Sequence, residues 1–165
     1  MYGSVGCRKI LGFLRCLGMF KYNFFLFKDL PSAWLCGVRV KDLNDKKCII
    51  SVRHNWFNSN PFKSLYWAVQ GMASELATGL AIIDFVNKNK LKISMLVISN
   101  ESKFLKKAKG LIRFECDQVN KLKKTLSSLS KNKTTDKIKL KSTGYDESGD
   151  VVSEFIYEWS FKLKE

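Results

Sequence analysis

With 165 residues, 45% of them hydrophobic and 13% aromatic, the chain has the material for one domain with a substantial core, which excludes a disordered chain. A net charge of +14 suits an anionic partner, whether nucleic acid, an anionic membrane, an acidic protein or a phosphate-bearing ligand; a solvated lysine-rich surface is the plainer reading. Five cysteines without a CxxC pair and a single His54 exclude a standard zinc set, so no metal is expected, and triad chemistry would rest on His54 alone. Free thiols in a reducing cytosol fit this cysteine usage.

Residues 1–18 carry a few basic residues and short apolar runs, and Arg15 interrupts what would be a signal-peptide core. No run there reaches transmembrane length, so stable membrane insertion is not expected. The segment reads either as a weak amphipathic anchor or as a stretch ahead of a start at Met19, and the domain proper is taken as 19–165. Phe20 to Leu30, closed by Pro31, predicts an aromatic helix packed on the outside of a sheet. Val38 to Leu43 and Lys46 to Trp56 predict two strands around an Asn44-Asp45 turn, with Cys48, Ile50 and Val52 on one face.

The stretch NPFKSLYWAVQGMASELATGLAII follows, from Asn60 to Ile83. Asn60 as N-cap and Pro61 at the first helical position predict a long helix over about 60–86. Between Lys63 and Asp84 its one formal charge is Glu75, and apolar or small residues occupy nearly every side. Such a helix is expected to be buried all round. A lone carboxylate there must be paired, protonated or put to use.

Lys92 to Ser99 reads as a strand covered on both faces, followed by strands at Lys103 to Lys107 and Leu111 to Asp117. Val119, Leu122, Leu126 and Leu129 are spaced for an amphipathic helix. Lys131 to Asp136 is a polar loop. Lys137 to Tyr145 and Val151 to Lys162 form a hairpin around Asp146 to Gly149. The sum is an α+β domain, an antiparallel curved sheet wrapped around one helix. Between Lys103 and Lys141 thirteen basic residues face three acidic ones, yet past Lys106 the only aromatic is Phe114, so nucleic-acid binding ranks last.

Asn60, Glu75 and Gly79 carry a resemblance. The chain resembles hotdog-fold acyl-CoA thioesterases of the phenylacetate-pathway type and their uncharacterised relatives. That family has an Asn, a His-Gly pair, an acidic residue and then a Gly four residues on, at this spacing. FLKKAKG, residues 104 to 110, is similar to the family's basic stretch between two strands. Where the family has His-Gly, Tyr66 and Trp67 stand here.

The resemblance implies a single hotdog domain and hydrolysis of an acyl-CoA or acyl-carrier-protein thioester, at a site shared across a homodimer or dimer of dimers. Backbone N–H groups near Tyr66 and Trp67 would hold the oxyanion, and Glu75 of the partner would act as general base or nucleophile. Asn60 and Ser64 would hold the water or carbonyl, and Lys103, Lys106, Lys107 and Lys109 would meet the phosphates of coenzyme A. The helix rise of about 1.5 Å per residue separates Tyr66 from Glu75 by about 13 Å, so they cannot serve one carbonyl within one subunit. Ser64, Ala68, Gly71, Glu75 and Thr78 would form a small polar stripe permitting close approach of two helices. Each residue also has a plain structural reading: N-cap for Asn60, core packing for Tyr66, solvation for the lysines. The missing His-Gly pair keeps open a non-catalytic module that binds acyl-CoA or another lipid thioester.

Overall fold

The computed structural model describes residues 18–129 and 134–164; the expectations for residues 1–17 lie outside them. Period-two alternation builds the sheet. In β6 (Val151–Leu163) Phe155, Tyr157, Trp159 and Phe161 are buried while Ile156 faces solvent, and β5 (Thr135–Tyr145) buries Ile138 and Leu140 between exposed lysines. With β1 (Arg39–Leu43), β2 (Cys48–Arg53), β3 (Ile93–Phe104) and β4 (Leu111–Cys116) they form one antiparallel sheet in the order β1-β2-β4-β5-β6-β3. The apolar faces close around α3 (Trp67–Lys88), which packs on β2, β4, β5 and β6. By length and composition α3 would also suit a bilayer, but here it is a core helix, mostly sheathed in protein. A short α4 (Val119–Ser127) buries Val119, Leu122 and Leu126, as its spacing predicts.

Hydrogen bonds fix α3 against the sheet in one register. Gln70, Ser74 and Thr78 lie one turn apart on the helix and are buried. Ser153 donates to Gln70 Oε1 at 2.9 Å, Ser74 and Tyr157 share a bond of 2.7 Å, and Trp159 Nε1 donates to Thr78 Oγ1 at 3.0 Å. All three partners lie on β6. Gly79 completes the fit: a Cβ there would stand 3.2 Å from the Trp159 ring. Cys48 and Cys116 are register partners across β2 and β4, both buried free thiols, and burial pushes them up, Cys116 to about 11.

Three expectations are corrected. First, α3 begins at Trp67 rather than near Asn60. Asn60 Oδ1 accepts from the N–H groups of Phe62 (3.0 Å) and Ser64 (3.2 Å), which closes a tight turn with Lys63 at φ 58°. Leu65 N–H then donates to Ala108 O and Tyr66 N–H to Asn58 O, so the chain stays extended until Tyr66.

Second, the runs expected at Lys92–Ser99 and Lys103–Lys107 are one twelve-residue edge strand, β3, paired only with β6. It is not covered on both faces: Leu96 is 65% and Ile98 40% exposed. An irregularity between Val97 and Ser99 shifts its alternation. The sheet therefore has six strands, where the sequence reading has seven.

Third, the aromatic helix α1, described over residues 18–29, packs on α3 and the β1 edge instead of the outside of the sheet. Tyr22 donates to the Asp84 carboxylate, and Asn23 exchanges two 3.0 Å bonds with the backbone of Val40. Pro31 opens a further short helix, α2 (Pro31–Leu35).

Candidate functional site

Helix α3 has one open line. Trp67 and Glu75 are exposed, Ala68, Gly71 and Met72 are half-buried, and Val69, Gln70 and the residues from Ala73 to Ile82 other than Glu75 are buried. The small polar stripe expected from the helical wheel is thus altered at both ends. Ser64 lies before the helix and is buried, and Thr78 is turned into the sheet toward Trp159. A cleft opens at each end of the line.

The first cleft, about 380 Å³, lies at the start of α3 between the Asn60 turn and the β3–β4 connection. Asn60, Ser64, Trp67, Gln70, Lys106 and Lys107 are among its walls. Five of the nine residues singled out in the sequence meet here. Asn60 Nδ2 donates to Ser64 Oγ at 3.1 Å, so both side chains serve the turn that forms one wall. Trp67 and Ala68 are the first helical residues, and among the described residues neither N–H finds an acceptor. Two unused donors at the positive end of a helix form a site for developing negative charge. The Tyr66 N–H is not one of them, being bonded to Asn58 O at 2.9 Å. Its ring, 45% exposed, stands edge-on to Trp67 and lines neither cleft.

Of the lysines, Lys106 is held by the β5–β6 turn: its Nζ lies 2.6 Å from Asp146 and 2.8 Å from Asp150. Those carboxylates raise it to about 12 and neutralise its charge locally. Lys103 lies 4.0 Å from Glu101 and, like Lys109, is outside the cleft. Lys107 is the lining cation without an ion pair among the described residues.

The second cleft, about 540 Å³, is apolar. Met72, Leu76 and Ile83 of α3, Met95 and Val97 of β3 and Trp159 line it, with Phe25, Asp29 and Leu30 on the side of α1. Glu75 stands at its mouth. The carboxylate has no hydrogen bond or ion pair among the described residues. Although Glu75 is exposed to water on one side, the apolar walls on the other raise its pKa above the ordinary Glu range. Its backbone is fixed, because Thr78 Oγ1 donates to Glu75 O at 2.8 Å and is itself held by Trp159.

Glu75 is thus about 12 Å along the helix axis from Trp67. The structure brings Asn60, Ser64, Trp67, Lys106 and Lys107 together and leaves Glu75 apart, as the helix geometry requires. Sequence reasoning missed Gln70, whose amide bridges Leu65 O (3.2 Å) and Ser153 at the floor of the first cleft. Its signal was available: Gln70, Ser74 and Thr78 recur every fourth position in an otherwise apolar helix. His54 is structural, its Nε2 3.0 Å from Ser59 Oγ. No three His, Cys, Asp or Glu side chains converge as metal ligands among the described residues.

No protein-family model and no curated protein matches the chain. Solved structures do. A protein of unknown function from Chlorobaculum tepidum is 14% identical with a TM-score of 0.76, covering 91% of this chain and 97% of its own. A Pseudomonas aeruginosa protein, described as a probable thioesterase, is 20% identical with a TM-score of 0.75, over 88% and 96%. A Staphylococcus aureus thioesterase, solved with a glutamine replaced by alanine, is 13% identical with a TM-score of 0.58, over 76% and 93%; the same protein was also solved with a glutamate replaced by alanine. The fold of the present chain is the hotdog fold, a single α+β domain with its curved sheet around α3.

Proposed function

We propose that the protein hydrolyses acyl thioesters as a dimer, with each site assembled from the Glu75 cleft of one subunit and the helix start of the other. One observation carries this reading: an unpaired carboxylate with a raised pKa stands at the mouth of an apolar cleft, at the far end of the one exposed line of α3. Two such helices running antiparallel across a twofold axis would bring Glu75 opposite the unused N–H groups of Trp67 and Ala68. The open edge of β3 supports the pairing, since a long edge strand with exposed Leu96 and Ile98 is otherwise a liability. The Staphylococcus aureus thioesterase also supports it: its two substituted positions are fifteen residues apart, the separation of Asn60 from Glu75.

In the proposed reaction Glu75 takes a proton from water, and the oxygen adds to the thioester carbonyl carbon. The carbonyl oxygen becomes an oxyanion against the N–H groups of Trp67 and Ala68. The C–S bond then breaks, the thiolate takes up a proton and leaves as thiol, and a carboxylic acid is released. The acyl chain lies in the apolar cleft. Lys107 meets the phosphates of coenzyme A or the phosphopantetheine of a carrier protein; Lys106 is already engaged by Asp146 and Asp150.

The test is thiol release from short, long and aryl acyl-CoAs and from an acyl-carrier protein, with wild type beside Glu75→Gln. Loss of turnover in a variant that remains folded and dimeric is the expected result. Turnover that survives the change would move the chemistry off Glu75. Acyl-CoA bound but never cleaved would favour a binding module, the reading to which Trp67, 58% exposed beside the first cleft, lends weight.

A further inference from the structure

Phe20, Phe24 and Phe27 recur at i, i+4 and i+7 and so share one line of α1. They are 71%, 57% and 54% exposed. The opposite side of the same helix does the work of folding: Leu26 is fully buried and Tyr22 reaches Asp84. The helix therefore has two apolar faces, and the fold uses one. Only Phe27 has a further tie, its ring edge-on to Trp34 at 5.0 Å. Lys21 and Lys28, both exposed, flank the line.

We propose that this face of α1 docks on an anionic lipid bilayer, with the phenylalanines among the acyl chains and Lys21 and Lys28 at the phosphates. Aromatic residues flanked by lysine are the composition of helices that lie in a membrane interface. The charge is complementary overall: within α1 the exposed Lys21 and Lys28 outnumber Asp29. The chain carries +14, and three of its basic residues, Arg8, Lys9 and Arg15, fall within residues 1–17, which hold no acidic residue. A second copy seated on this line by a twofold axis would instead bring the same lysines toward one another. The placement also fits the second cleft, whose outer wall is Phe25, Asp29 and Leu30 of the same segment. A long-chain thioester partitioned into the bilayer would meet that cleft at the membrane surface. This last step rests on the hydrolase reading, whereas the docking does not.

The experiment is co-sedimentation of the full chain with vesicles of phosphatidylcholine alone and of phosphatidylcholine with about a third phosphatidylglycerol, with oligomeric state and Tm measured in parallel. Wild type should bind the anionic vesicles and release at high salt. Phe20→Gln with Phe24→Gln, which leaves the Phe27–Trp34 contact intact, should weaken binding about a hundredfold at unchanged Tm. Lys21→Ala with Lys28→Ala should weaken it about thirtyfold. Absence of wild-type binding, equal binding to neutral vesicles, or indifference to the phenylalanine changes would each overturn the proposal. A phenylalanine variant that changes oligomeric state without changing vesicle binding would assign the face to a second copy.

Discussion

The two clefts along α3 are made of opposite materials. The one at the helix start offers the backbone N–H groups of Trp67 and Ala68 and the Lys107 cation, all of which stabilise negative charge. The one farther along is mostly apolar, with the Glu75 carboxylate at its mouth and Asp29 on its outer wall. Neither is a complete hydrolytic site: the first lacks a base, and the second lacks a place for an oxyanion. One helix carries both halves, separated by about 12 Å of rigid backbone, so flexing within a subunit cannot join them. If both clefts serve one reaction, as proposed, the unit of function is larger than the chain.

The sharpest way to break this comparison is to damage one half on each of two subunits. Glu75→Gln alone should lower thioester turnover about a thousandfold. Trp67→Pro removes one N–H donor at a helical position that tolerates proline, and should lower turnover about a hundredfold, while Trp67→Ala, which keeps the donor, should not. Mixing and refolding the two inactive variants should then restore about a quarter of wild-type turnover, because half the dimers carry one intact site. No recovery would place both halves of the site in one chain. Next in size, Leu96→Lys with Ile98→Lys on the β3 edge should give a folded monomer without turnover; an active monomer in analytical ultracentrifugation would sink the shared site.

Smaller effects sharpen the difference between the clefts. Gly79→Ala brings a methyl group to 3.2 Å from the Trp159 ring, in the wall of the second cleft only. It should cost about 1–3 kcal/mol in denaturant unfolding and shift acyl preference toward shorter chains. The smallest expected change concerns pH. The folded pKa of Glu75 lies above its unfolded value, so the folded state holds the proton more tightly. The destabilisation is absent below the unfolded pKa and complete above the folded one. Glu75→Gln should therefore gain stability over wild type at neutral pH and lose that advantage in acid, as Tm measured across pH would show.

Much of this was legible in the chain because its strongest patterns are periodic. The alternation of Phe155, Tyr157, Trp159 and Phe161 and the spacing of Val119, Leu122 and Leu126 led to the observed strand and helix. Glu75 stood out as the one charge between Lys63 and Asp84. The start of α3 was misread because the same asparagine oxygen can accept from the first turn of a helix or close a local turn. What decides between them is Ala108 O and Asn58 O taking the next two N–H groups, and Ala108 is remote in sequence. The β3 strand was split in two because Asn100, Glu101 and Ser102 interrupt its apolar run, which an edge strand tolerates. Lys106 looked free, since its partners Asp146 and Asp150 lie 40 and 44 residues away.

The bonds from Gln70, Ser74 and Thr78 to β6 have a consequence for how the molecule opens. All three run from one helix to one strand, and that strand also pairs with β3 along its whole length. Sliding α3 by one residue would break every rung at once, so this helix and β6 separate together. They form a cooperative opening unit, with β1 and α1 outside it. In amide hydrogen exchange the buried turns of α3 and the β6 amides facing β5 should share one slow rate.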